Sequence, residues 1–240
     1  MLAGILVGRV MARLAFAGAI FACAIMAYAA TARAEIKIVA IGDSNLDVPH
    51  ISKKDMYPAQ LERVLRERGH KVTVTNAGLR GDTTQGVLER LNRHVPADTD
   101  IALVGVGAND TGVFKIPRNI WTANLTIIVK RLRERGIEVL LFGVGNLNNE
   151  TCCFGKAVAN ETGALFYRHF QDGLYNDMAL HSEKIKPNPT PDGPVDKNAT
   201  KWHLNEKGNI LAVERTLPLV EELIARVEAR AAAGAKGSGP

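Results

Sequence analysis

From Ile36 onward, short apolar runs alternate with longer stretches in which apolar residues recur every three or four positions. "IKIVAIG" (36–42), "DIALVGVG" (100–107) and "EVLLFGVG" (138–145) are almost unbroken apolar runs, which predicts strands covered on both faces. "KVTVTNAG" (71–78) and a shorter "ALFYRHF" (164–170) read as two further strands. The intervening segments carry helical spacing. "YPAQLERVLRERG" is amphipathic and stops at Gly69, "TTQGVLERLNRHV" follows the second strand, and a long helix is expected from Pro117 to Arg135, before Gly136. A weaker helix is expected over Glu150–Glu161, and a last one from about Asn205 to Arg230, with a break near Pro218.

This alternation predicts an α/β fold, a three-layer α/β/α sandwich around a doubly wound, flavodoxin-like, five-stranded parallel sheet of order 2-1-3-4-5. One region breaks the rhythm. From Gln171 to Trp202 the chain is rich in Pro, Asn and Asp and has no apolar period, and a loop of that length is often functional. The closing "AAAGAKGSGP" (231–240) reads as a frayed, disordered tail.

The first 34 residues follow a different pattern. Arg9 and Arg13 precede the 17-residue apolar run "LAFAGAIFACAIMAYAA", and Ala32-Arg33-Ala34 has the small-x-small form of a signal-peptide cleavage site. The domain organisation expected is a signal peptide over 1–34, one globular domain over 35–230 and the tail. Met11 also makes a complete start, an uncleaved anchor is the alternative to cleavage, and Phe21 argues against a lipoprotein site at Cys23. Cleavage at Glu35 implies a periplasmic or secreted protein that leaves the membrane.

Removing the leader changes the charge picture. Of 30 Lys and Arg the leader holds three, which leaves 27 against 25 acidic residues. A mature chain that near neutrality gives no reason to expect nucleic acid or an anionic surface as partner. Cys152 and Cys153 are adjacent, so they form no disulfide framework, and nothing near them suggests a metal site. Four N-x-T sequons begin at Asn124, Asn149, Asn160 and Asn198.

Candidate chemistry gathers at the strand ends, where open parallel sheets bind ligands. The first strand ends in Gly42-Asp43-Ser44, the second in Asn76-Ala77-Gly78, the third in Gly107-Ala108-Asn109-Asp110. In the order 2-1-3, Ser44 stands between the other two. Acyl transfer needs a nucleophile, a base to take its proton, and donors for an oxyanion. Ser44 and Gly78 could offer backbone N–H groups and Asn109 its side-chain amide. Ser44 could equally cap a helix, and Asn109-Asp110 could be a plain turn pair. Of the six histidines, His203 in "WHLNEKGN" leaves the long loop just before the last helix, so the loop's return can bring it over the strand ends. His70 and His94 sit at helix ends, and His50, His169 and His181 have no motif around them. "GVGAND" lacks the third glycine of a dinucleotide fingerprint, and no P-loop lysine occurs.

Four ordered blocks resemble the SGNH (GDSL-type) hydrolases: "GDSNL", "NAGLRGDTT", "GVGAND" and "HLNEKGN". The resemblance covers nearly the whole mature chain. It implies Ser44 as nucleophile, Ser44, Gly78 and Asn109 as the oxyanion hole, and His203 as general base, with no metal or organic cofactor. The substrate it implies is a small-molecule or glycan acyl ester or thioester. The family's Asp three residues before the histidine is replaced here by Thr200. Asp196, Asp192, Thr200 or a backbone carbonyl are then the alternatives for the group behind His203. That departure keeps a second reading open, a weak or inactive relative that binds an acylated glycan or lipid. Leu204 stands where the family has proline.

Overall fold

The computed structural model describes residues 35–49, 51–143, 152–182 and 203–237, and every element below lies in the compact unit Ile36–Pro240. The strands are β1 Ile36–Gly42, β2 Val72–Gly78, β3 Ile101–Gly105, β4 Glu138–Phe142 and β5 Leu165–Tyr167. The helices are α1 Tyr57–Glu67, α2 Thr84–His94, α3 Ala108–Gly112, α4 Arg118–Glu134, α5 Cys152–Thr162 and α6 Glu206–Gly237. The five strands pair in parallel in the order β2-β1-β3-β4-β5, as the sequence pattern predicts.

The central strands are apolar throughout because each face is covered. Along β1, Ile36, Ile38 and Ala40 pack with Tyr57, Leu61 and Leu65 of α1 and with Val213, Val220 and Leu223 of α6. The intervening Val39 and Ile41 pack with Val87 and Leu91 of α2 and with Leu125, Ile128 and Leu132 of α4. The two-residue period of the strand therefore divides one apolar run between two cores. β2 lies at an edge of the sheet, which is where its polar Thr73, Thr75 and Asn76 are tolerated.

Three boundaries differ from expectation. A short helix, α3, starts at Ala108 directly behind Gly107, so the "GAND" segment is the first turn of a helix rather than a bare strand end. The last helix runs unbroken through Pro218. It also continues to Gly237, past the Arg230 boundary and into the segment expected to fray, where the run of alanines has high helix propensity. Among the described residues, no helix is long and apolar enough to cross a membrane. The leader and the two cysteines' side chains lie outside what is described.

Candidate active site

β1 delivers Ser44. Asp43 continues the strand's hydrogen bonding, its N–H donating to Gly105 O at 3.1 Å, and the chain then turns, with Leu46 N–H donating back to Asp43 O at 3.1 Å. The Asp43 side chain holds that turn. Its Oδ1 accepts from the Asn45 backbone N–H at 3.0 Å and from the Asn45 amide at 2.9 Å. Full burial pushes the Asp43 carboxyl up to about 6, against the Asn45 hydrogen bonds that pull it down.

His203 comes from the other end of the chain. An antiparallel bridge pairs His181 with Leu204. Ser182 N–H donates to His203 O at 3.1 Å, and Asn205 N–H donates to Leu180 O at 2.8 Å. Asn205 fixes the start of α6 from both sides. Its amide donates to Ala179 O at 2.8 Å and His181 O at 3.1 Å, and its Oδ1 accepts the Gly208 N–H at 3.0 Å as a helix cap. Held this way, His203 Nε2 stands 2.8 Å from Ser44 Oγ, a hydrogen bond between residues 159 positions apart. That is the nucleophile–base geometry of serine catalysis.

Asn109 lies in the first turn of α3 and lines the cavity with Ser44 and His203. Its amide donates one hydrogen to Asp82 O at 2.8 Å, and an amide nitrogen carries two, so one donor remains beside the serine. Asp110, fully buried, anchors the same turn. Its carboxylate accepts the Thr84 hydroxyl at 2.6 Å and the Thr84 N–H at 3.0 Å.

Gly78 does not stand with the expected donors. Its N–H is already engaged, donating to Asn76 Oδ1 at 2.9 Å. A Cβ there would meet Leu46 Cβ at 2.7 Å, so the glycine is explained by the close approach of the Ser44 turn to β2. Asp196, Asp192 and Thr200, expected around His203 Nδ1, lie outside the described residues.

The cavity holds about 260 Å³ and is lined by Ala108, Thr111, Gly112 and Val113 from α3 and its C-cap, and by His169, Gln171 and Tyr175 from the segment that follows β5. His169 has no motif around it in the sequence. Only its position two residues beyond β5, at the same edge of the sheet as Ser44, could have pointed to it. Among the described residues no group of acidic, His and Cys side chains could hold a metal ion.

A serine–histidine pair at the carboxyl edge of a doubly wound sheet, with an amide beside it, defines a serine hydrolase. The chain belongs to the GDSL-like lipase/acylhydrolase family, which matches residues 40–211. It is 31% identical to an arylesterase of Vibrio mimicus over 158 residues, 64% of this chain and 70% of that one. Among solved structures it resembles AlinE4, an SGNH-hydrolase family esterase, at 25% identity and a TM-score of 0.60, covering 88% of this chain and 100% of the other. It also shares its fold with TesA, at 20% identity and a TM-score of 0.66, over 78% of this chain and 99% of that one.

Proposed function

We propose that the protein is an exported esterase that works through a Ser44 acyl-enzyme. The observation that carries this reading is the 2.8 Å contact between His203 Nε2 and Ser44 Oγ. His203 takes the serine proton as Oγ attacks the ester carbonyl, returns it to the departing alcohol, and then activates the water that releases the acid. The oxyanion is met by the Ser44 N–H and the second hydrogen of the Asn109 amide. A third donor is the Gly81 N–H in place of Gly78. Gly81 is the third residue of the 79–82 turn, closed by Asp82 N–H to Leu79 O at 3.1 Å, and its φ of 75° is that of a type II turn. In such a turn the third residue's N–H points outward rather than into the loop.

A cavity of about 260 Å³ suits a short acyl chain with a modest alcohol better than two long chains. Its mixed lining, apolar at Ala108 and Val113 and polar at His169, Gln171 and Tyr175, supports an acyl side and a more polar alcohol side. The leader supports export, with Glu35 as the mature N-terminus.

Wild type, Ser44→Ala, His203→Ala and Asn109→Ala are to be incubated with a fluorophosphonate probe and with p-nitrophenyl acetate, butyrate and octanoate. Wild type is expected to label at Ser44 and to prefer the shorter esters. The first two variants should lose at least about 10³-fold in kcat, and Asn109→Ala about 10²–10³-fold with KM little changed. Folded wild type that neither labels nor turns over any ester favours the second reading, a pocket that binds acylated ligands without cleaving them.

A further inference from the structure

Beneath the site, touching none of the reacting atoms, lies a buried arginine. Arg90 stands on α2 and is 6% exposed. Its Nε donates to Asp82 Oδ2 at 2.7 Å, Nη1 to Ala77 O at 2.8 Å, and Nη2 to Gly42 O at 3.0 Å. These acceptors belong to three separate parts of the site's frame. Gly42 ends β1, two residues before Ser44. Ala77 lies next to the end of β2. Asp82 closes the 79–82 turn, and its carbonyl is the group that accepts the Asn109 amide.

The surroundings keep Asp82 in place for this contact. Thr83 N–H donates to Asp82 Oδ1 at 2.9 Å. A Cβ at position 86 would stand 2.0 Å from that same oxygen, so only glycine lets α2 start against the carboxylate. A guanidinium presents its donors in a rigid planar fork, which a lysine does not reproduce. A buried ion pair is in general a weak source of stability, because the desolvation of both charges offsets their attraction. What this one supplies is a tie from the paired ends of β1 and β2, where Gly42 O also accepts the Leu79 N–H at 2.9 Å, to Asp82, which lies beyond the strands' own pairing.

We propose that Arg90 is a positioning residue for ester hydrolysis. By clamping Gly42, Ala77 and Asp82 it sets where the Asn109 amide stands relative to Ser44, and its effect on the rate passes through Asn109. The inference rests on the esterase reading above. It concerns a residue outside the cavity, since Arg90 lines no part of it.

The test is a double-mutant cycle read in kcat, KM and the rate of phosphonate labelling. Arg90→Met should lower kcat by about 10- to 100-fold, with KM within about two-fold of wild type and the far-UV spectrum retained. Arg90→Lys, which keeps charge and some donors, should recover part of that loss. Combined with Asn109→Ala, the Arg90→Met change should cost less than about three-fold further, because residues that act through one another are not additive. A full multiplicative loss in the Asn109→Ala background overturns the proposal, as does an unchanged kcat in Arg90→Met. Where Arg90→Met does not fold, Arg90→Lys and Asp82→Asn run the same cycle under the same criteria. Wild type that hydrolyses no ester sinks the esterase reading instead, and is told apart by the first row of the same kinetics.

Discussion

Asp43 shows how much a single residue beside the nucleophile is asked to tolerate. It is completely buried, and its Oδ1 serves the Asn45 turn. Its carboxyl is raised from 3.8 to about 6, so the folded protein binds the proton more tightly than the unfolded chain does. The stability Asp43 contributes is therefore greatest below about pH 4, is lost as pH rises through about 6, and stays lost above. Two pH units of difference correspond to roughly 3 kcal/mol. Asp43→Asn keeps an acceptor for both Asn45 donors and removes the ionisation. Its urea midpoint should match wild type near pH 4 and exceed it at pH 8; a difference independent of pH between those values would show that the carboxyl is not what titrates. Burial of this kind is not legible in "GDSNL", since five residues do not tell a buried carboxyl from an exposed one. Asn124 is a similar case, a sequon by sequence and a buried α4 residue in the fold, its amide donating to Thr84 Oγ1 at 3.3 Å.

Among the elements, α6 differs most from its sequence reading and does the most work. Its middle packs against β4 and α1, with Val213, Val220 and Leu223 in the shared core, and Tyr57 of α1 binds it twice. Asn209 Oδ1 accepts the Tyr57 N–H at 3.1 Å, and the Tyr57 and Thr216 hydroxyls stand 2.8 Å apart. Burial pushes the Tyr57 phenol up from its ordinary value, against the Thr216 hydrogen bond that lowers it, so it stays a neutral hydroxyl. Toward its end, Arg226 and Arg230 converge with Arg133 of α4 on Glu138, the first residue of β4, at 3.8, 2.9 and 2.6 Å. Glu138 is 6% exposed, so these partners offset the cost of burying its charge. Just beyond Arg230, residues 231–234 are exposed. Deleting residues 231–240 should therefore shift unfolding by no more than about 0.5 kcal/mol. Deleting from Arg226 removes two arginines and the buried Val227, and should cost about 2 kcal/mol or more, measured by urea denaturation. Equal losses in the two truncations would mean that the terminal turns are held by something other than this cluster. The sequence pattern could not place the helix's end, because propensity alone continues it where packing has stopped.

Across the whole molecule, the parts of the site that were legible are those fixed by sheet topology. The order β2-β1-β3 follows from strand–helix alternation and handedness, and it sets the Ser44 turn between the 79–82 turn and α3. The serine and histidine followed from their blocks. Gly78 did not, since a glycine that admits a neighbouring backbone and one that offers a donor look alike in one sequence. Nor did Arg90 or His169, whose roles depend on three-dimensional neighbours with no fixed spacing along the chain. This distribution has a measurable consequence. Ser44 hangs from the first strand and His203 from the last helix, and both are tied into one core through Tyr57, Asn209 and the α1–β1–α6 layer. Leu204, which forms the bridge beside His203, and Leu180, next to its partner His181, are buried in that same core. The site should then have no separate melting step. In urea, loss of p-nitrophenyl ester hydrolysis, far-UV ellipticity and phosphonate labelling at Ser44 should superimpose as one transition. Activity that disappears at clearly lower urea than ellipticity would show instead that the 180–182 and 203–205 segments open on their own, with the sheet intact.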